Sequence, residues 1–132
     1  MKRIPILFLA IGILSLSSVV EAQATTCVQG VPGAAPTAIL TFTAPTANTD
    51  GSALSLPLTY NIYQSTTSGA ETKVATGQKG SPISVVTGIT PNATYYWKVS
   101  VTDAGGNESA LSNEACKSFP KSLPGSVTIT IT

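Results

Sequence analysis

One stretch constrains this chain more than any other. Ile89 to Asn107 reads ITPNATYYWKVSVTDAGGN, and within it Tyr95, Trp97, Val99 and Val101 alternate with Tyr96, Lys98, Ser100 and Thr102. Successive side chains of a strand point to opposite faces, so the first set makes an apolar face and the second a face that meets water. Pro91-Asn92 ahead of it and Asp103-Ala104-Gly105-Gly106-Asn107 behind it are turn chemistry. The pattern predicts the central strand of an antiparallel sandwich.

The rest of the chain repeats the theme in shorter runs. Gly30, Pro32, Gly33 and Pro36 interrupt any strand in residues 25–36. Ala38 to Thr43 is a strand with Leu40 and Phe42 on one face, and Ala44-Pro45 ends it. Asp50-Gly51 marks a turn, and Leu58 to Gln64 is a strand with Leu58, Tyr60 and Ile62 on one face. Lys73 to Thr76 reads as a weak edge strand, Ile83 to Thr87 as a strand, and Ser109 to Ser118 as a last polar strand. Six or seven short strands at this spacing, rich in β-branched residues and without a helical period after the leader, predict an all-β, immunoglobulin-like sandwich.

The N-terminus has a different character. Lys2-Arg3, an apolar run from Ile4 to Val20, and small residues at Ala22 and Ala24 form a signal-peptide pattern. Cleavage after Ala22 or Ala24 leaves roughly 110 residues, the size of one sandwich. The resulting division is a leader at 1–24, a domain at 25–120 and a C-terminal strand or tail at 121–132. The alternative is an uncleaved anchor, with Lys2 and Arg3 holding the N-terminus in the cytoplasm. Both readings put the folded part outside the cytoplasm, secreted, periplasmic or on the cell surface, and membrane contact follows only from the uncleaved form.

Beyond the leader, five lysines face five carboxylates, with no arginine or histidine. That balance has no electrostatic footprint for nucleic acid or anionic lipid. Cys27 and Cys116 are the only cysteines, and in an oxidising compartment they read first as one disulfide, against two buried thiols or a link to another chain. The residues ahead of Cys27, Ala24-Thr25-Thr26, lack a lipid-attachment pattern.

Leu40-Thr41-Phe42-Thr43-Ala44-Pro45, Tyr60-Asn61-Ile62-Tyr63, Ile89-x-Pro91 leading into Tyr95-x-Trp97-x-Val99-x-Val101, and Asn107-Glu108-Ser109 with Ser112-Asn113-Glu114 follow one another in order. Together they resemble the fibronectin type III domains of bacterial and phage secreted proteins, over residues 37–117. The resemblance implies a seven-stranded sandwich and a binding, adhesion or surface-assembly role. It implies a core of Phe42, Tyr60, Ile62, Tyr95, Trp97, Val99 and Val101. It also implies that the Tyr95 hydroxyl bonds back to backbone upstream. Phe42 stands where the family usually has tryptophan, and no Arg-Gly-Asp is present.

Chemistry is poorly provided for. Without histidine, the serines have no base partner for a nucleophilic triad, and no cofactor or metal site is expected. Asn48, Asp50, Asp103, Asn107 and Glu108 fall on the two loops that share one end of such a sandwich, and they are the candidates for loop binding of a protein or glycan. Asn92-Ala93-Thr94 and Asn107-Glu108-Ser109 fit a glycosylation acceptor but read as turn residues. Finally, Val127, Ile129 and Ile131 alternate with threonines beyond Pro124-Gly125. A lone strand of this kind needs a sheet edge. It either covers its own domain, replacing a weak first strand, or adds to another chain in self-association, which makes the protein a structural subunit of a secreted or virion-like assembly.

Overall fold

The computed structural model describes residues 26–131. The leader at 1–24 lies outside the described residues, as does Thr132. Seven strands follow in order: β1 (Val28–Gln29), β2 (Ala38–Leu40), β3 (Thr59–Ser65), β4 (Thr72–Gln78), β5 (Ile83–Val85), β6 (Ala93–Thr102) and β7 (Ala115–Phe119). They form a five-stranded sheet, β1-β7-β6-β3-β4, and a two-stranded sheet, β2-β5. The architecture is an all-β sandwich.

β6 is the longest strand and sits at the centre of the larger sheet, between β7 and β3. Its entry is a tight turn in which Asn92 takes a left-handed conformation (φ 63°), which asparagine tolerates better than most residues. The Asn92 amide donates to the Phe119 carbonyl, tying the start of β6 to the end of β7. Trp97 is only 2% exposed. Its indole N–H donates to Gln64 Oε1 at 2.9 Å, and Gln64 Nε2 donates in turn to the Gly88 carbonyl. Tyr95 is buried, and its hydroxyl accepts the Thr90 amide at 3.1 Å and bonds the Thr90 hydroxyl at 3.0 Å. The ring is thereby packed while its polar tip is satisfied.

Around these rings lie Ala38, Tyr60, Ile62, Ile83, Ile89 and Phe119. Phe119 packs edge-on against both Tyr95 and Trp97, at 6.1 and 6.5 Å between centroids. Phe42, Val99 and Val101, expected in the core, are only partly buried. The reason is geometric: two three-residue strands cannot cover a ten-residue strand, so the lower half of β6 extends beyond its lid. Phe42 lies past the end of β2, which stops at Leu40 rather than Thr43. There it packs on Tyr60 at 4.7 Å and donates its amide to Ser81 Oγ.

Three further expectations are corrected. The sandwich is not wholly antiparallel: β1 pairs in parallel with β7, Val28 opposite Lys117. Gly30, Pro32 and Gly33 keep β1 short, and the Cys27–Cys116 disulfide ties its start to β7. The last strand is regular only from Ala115. Ahead of it Ser109 and Ser112, three residues apart, face Val101 and Val99, two apart. The extra residue breaks the ladder, and the Ser109 and Ser112 hydroxyls accept the Val101 and Val99 amides in place of backbone carbonyls. The C-terminal segment covers no edge of its own domain. Residues 120–131 form no strand, and Val127, Ile129 and Ile131 are 88, 83 and 93% exposed.

Candidate functional site

The two loops singled out in the sequence do come together. Asn48, Asp50, Asp103, Asn107 and Glu108 line one groove of about 390 Å³, floored by Leu58 and Val101 where the smaller sheet falls short. A hydrogen bond from the Ala104 amide to the Ser55 carbonyl joins the loops directly.

Their polar groups are largely occupied by the loops themselves. Asp50 Oδ1 accepts both the hydroxyl and the amide of Ser52, at 2.7 and 2.9 Å, and these bonds hold its carboxyl below the usual range. Asn48 Nδ2 donates to Ser52 Oγ and the Ala53 carbonyl, both at 2.9 Å. Asp103 accepts the Asn107 side-chain amide on both oxygens and the Asn107 backbone amide at 2.9 Å, with the same lowering effect. These are turn-closing bonds of the kind short polar side chains make with nearby backbone.

Glu108 reaches elsewhere. It folds onto the outer face of the five-stranded sheet, where its Oε1 accepts from Asn61 Nδ2 (2.9 Å), the Tyr63 hydroxyl (2.7 Å), Lys73 Nζ (3.0 Å) and the Ser100 hydroxyl. Its other oxygen meets Lys73 at 2.9 Å. Lys73 first, then Ser100, Tyr63 and Asn61, lower its pKa to about 2. Asn61 and Ser100 are buried polar residues, and Glu108 accepts from both, beside the bonds Asn61 makes to Ser100 and Thr102. An acceptor so fully used has little left to offer a ligand.

A second polar cluster on that face was not foreseen. Lys98 Nζ lies 2.9 Å from Glu71 and 3.7 Å from Glu114, and the Gly69 amide donates to both carboxylates. For Glu71 burial works against ionisation. The hydrogen bonds it accepts from Lys98 and the Gly69 amide outweigh it and leave the pKa at about 2. The available signal was parity: Asn61, Tyr63, Lys98 and Ser100 all fall on the faces of β3 and β6 opposite the core. Among the described residues no group of three or more His, Cys, Asp or Glu side chains converges as metal ligands would.

The apolar openings lie at the flanks of the two-stranded sheet. Between β4 and β5 a cleft of about 300 Å³ is lined by Val74, Ala75, Ile83, Val85 and Val86. On the other flank a groove of about 260 Å³ runs between β2 and β7, lined by Val28, Ala38, Ile39, Leu40 and Cys116, with Trp97 at its floor.

Strand order, the tyrosine bonded back to Thr90 and the paired loops at one end define a β-sandwich module of the fibronectin type III-like kind. No family model matches the chain, and no curated protein does. Among solved structures it is similar to a Fn3-like protein from Clostridium thermocellum, at 32% identity. The match covers 74% of this chain and 96% of that one, with a TM-score of 0.49.

Proposed function

We propose that the protein is a non-catalytic, extracytoplasmic module that binds other polypeptides through its open sheet edges. The observation that carries this reading is the mismatch between the layers: two short strands lie over five. Both flanks of the smaller sheet are left with unpaired backbone beside apolar grooves. An extended segment adding to such an edge gains main-chain hydrogen bonds and pockets for alternate side chains. The leader pattern and the Cys27–Cys116 bridge support a place outside the cytoplasm.

Catalysis is disfavoured by the state of the carboxylates. Glycoside hydrolysis needs an acid with a raised pKa beside a base. Asp50, Asp103 and Glu108, the three in the loop-end groove, are all lowered.

Panning a displayed library of short peptides tests the reading. The bait is the full chain with Val127, Ile129 and Ile131 changed to serine, so that the tail cannot compete. Edge binding enriches sequences that alternate apolar and polar residues. Enrichment lost on Asp50→Ala or Asp103→Ala would assign binding to the loop end instead, and no enrichment would count against a peptide-binding role.

A further inference from the structure

We infer that the groove between β2 and β7 accepts the C-terminal segment, Val127 to Ile131, of a second copy of this chain, so that copies join head to tail. The assignment rests on the edge-binding reading above and gives it a partner.

The acceptor lacks one strand. β2 is hydrogen-bonded on one side only, to β5. The strand that would lie on its other side, β1, pairs instead with β7. At that open edge the Thr37 carbonyl takes a hydrogen bond from a side chain, Lys117 Nζ at 2.9 Å. Past β2 the alternation of exposed and half-buried residues continues to Thr43, so about seven residues of extended chain are on offer. Ile39 is 69% exposed at this edge, and the groove beneath it reaches Trp97.

The donor is a strand without a sheet. Val127, Ile129 and Ile131 alternate with Thr128 and Thr130, so one face suits an apolar groove and the other suits water. Added beside β2, it converts the two-stranded sheet to three strands and seats its apolar side chains between the layers. The lengths are compatible, since the alternating run from Val127 to Ile131 is shorter than the extended edge from Thr37 to Thr43.

A neighbour is favoured over the chain's own edge by the path of the tail. Phe119 and Leu123 each precede a proline, which holds them extended. Ser122 lies against Gly33 in the loop joining β1 to β2, and beyond it Val127, Ile129 and Ile131 stand in solvent rather than on that edge. Residues 120–125 span about 20 Å when extended, enough to reach an adjacent molecule. Because donor and acceptor are different surfaces, the contact is heterologous and does not close on itself by default.

The test uses the full chain with a photo-cross-linker at position 129, prepared in heavy-isotope and light forms and mixed equally. Heavy–light cross-links mapping to residues 37–43 are expected. Light scattering should show weight-average mass rising at least about twofold with concentration. Val127→Lys with Ile129→Lys should return the protein to monomer, and a peptide of residues 124–132 should cap growth. Cross-links confined to single molecules would mean the tail folds onto its own edge. Cross-links to β4 would move the acceptor to the other sheet, and a mass that stays monomeric at all concentrations would remove self-association. Each result overturns the assignment. If it fails while the library still selects alternating peptides, edge binding stands and only the partner is wrong.

Discussion

The two layers of this sandwich treat their unpaired groups in opposite ways. On the outer face of the five-stranded sheet, Glu108 gathers Asn61, Tyr63, Lys73 and Ser100, while Glu71 and Glu114 share Lys98. Among the described residues, no buried side-chain nitrogen or oxygen is left without a partner. The two-stranded sheet is the reverse: short strands, apolar grooves on both flanks and an edge met by a lysine side chain. Contacts with other molecules are therefore better served by the smaller sheet. The polar side is already satisfied internally, and the apolar side is not.

The largest effect should come from the centre both layers share. Trp97→Ala removes the ring beneath the β2–β7 groove and the donor to Gln64. It should cost about 3–5 kcal/mol in a denaturant titration. Replacing Cys27 and Cys116 by serine removes the covalent tie between β1 and β7 and leaves only their backbone pairing. A cost of about 2–5 kcal/mol is expected, and a loss near zero would show that β1 is held without the bridge.

The polar side can be probed by acid. Glu71 and Glu108 sit at about 2, below an ordinary 4.5. A carboxylate depressed on folding contributes stability that is present above its unfolded value and is lost as pH falls through the folded one. Urea midpoints should therefore hold level above pH 4.5 and decline toward pH 2, with a shallower slope in Glu108→Gln. A flat profile in the unmodified protein would show that these carboxylates do not stabilise the polar face.

Tyr95→Phe deletes only the hydroxyl bonded to Thr90. It should lower stability by about 1 kcal/mol with the fold intact. Smallest of all, serine at Val127, Ile129 and Ile131 should leave monomer stability within about 0.5 kcal/mol, since these side chains are in solvent. A larger loss would mean the tail packs on its own domain and closes the open side.

What could be read directly from the chain was local. The alternation in residues 94–102, the turn at Pro91-Asn92 and the apolar parity of Tyr60 and Ile62 are covalent facts. Backbone stereochemistry puts alternate residues of any strand they form on opposite faces. The pairing of the two loops at one end followed from the order of the strands. Phe119 was missed because it directly precedes a proline, just beyond the expected end of the last strand, and its neighbours β1 and β6 are distant in sequence. The role of Glu108 was missed for a related reason: its loop position suggested solvent, whereas its partners lie on three other strands.

Only the tertiary structure decided which edge each strand would take. Nothing local distinguishes a first strand that lies along β2 from one that crosses to β7, or a tail that folds back from one that does not. Edge choice depends on the difference between long-range pairings of similar strength, whereas periodicity depends on bonds within a few residues. The alternating face of β6 was therefore written in the chain, and the uncovered flank of β2 emerged only when all seven strands were placed.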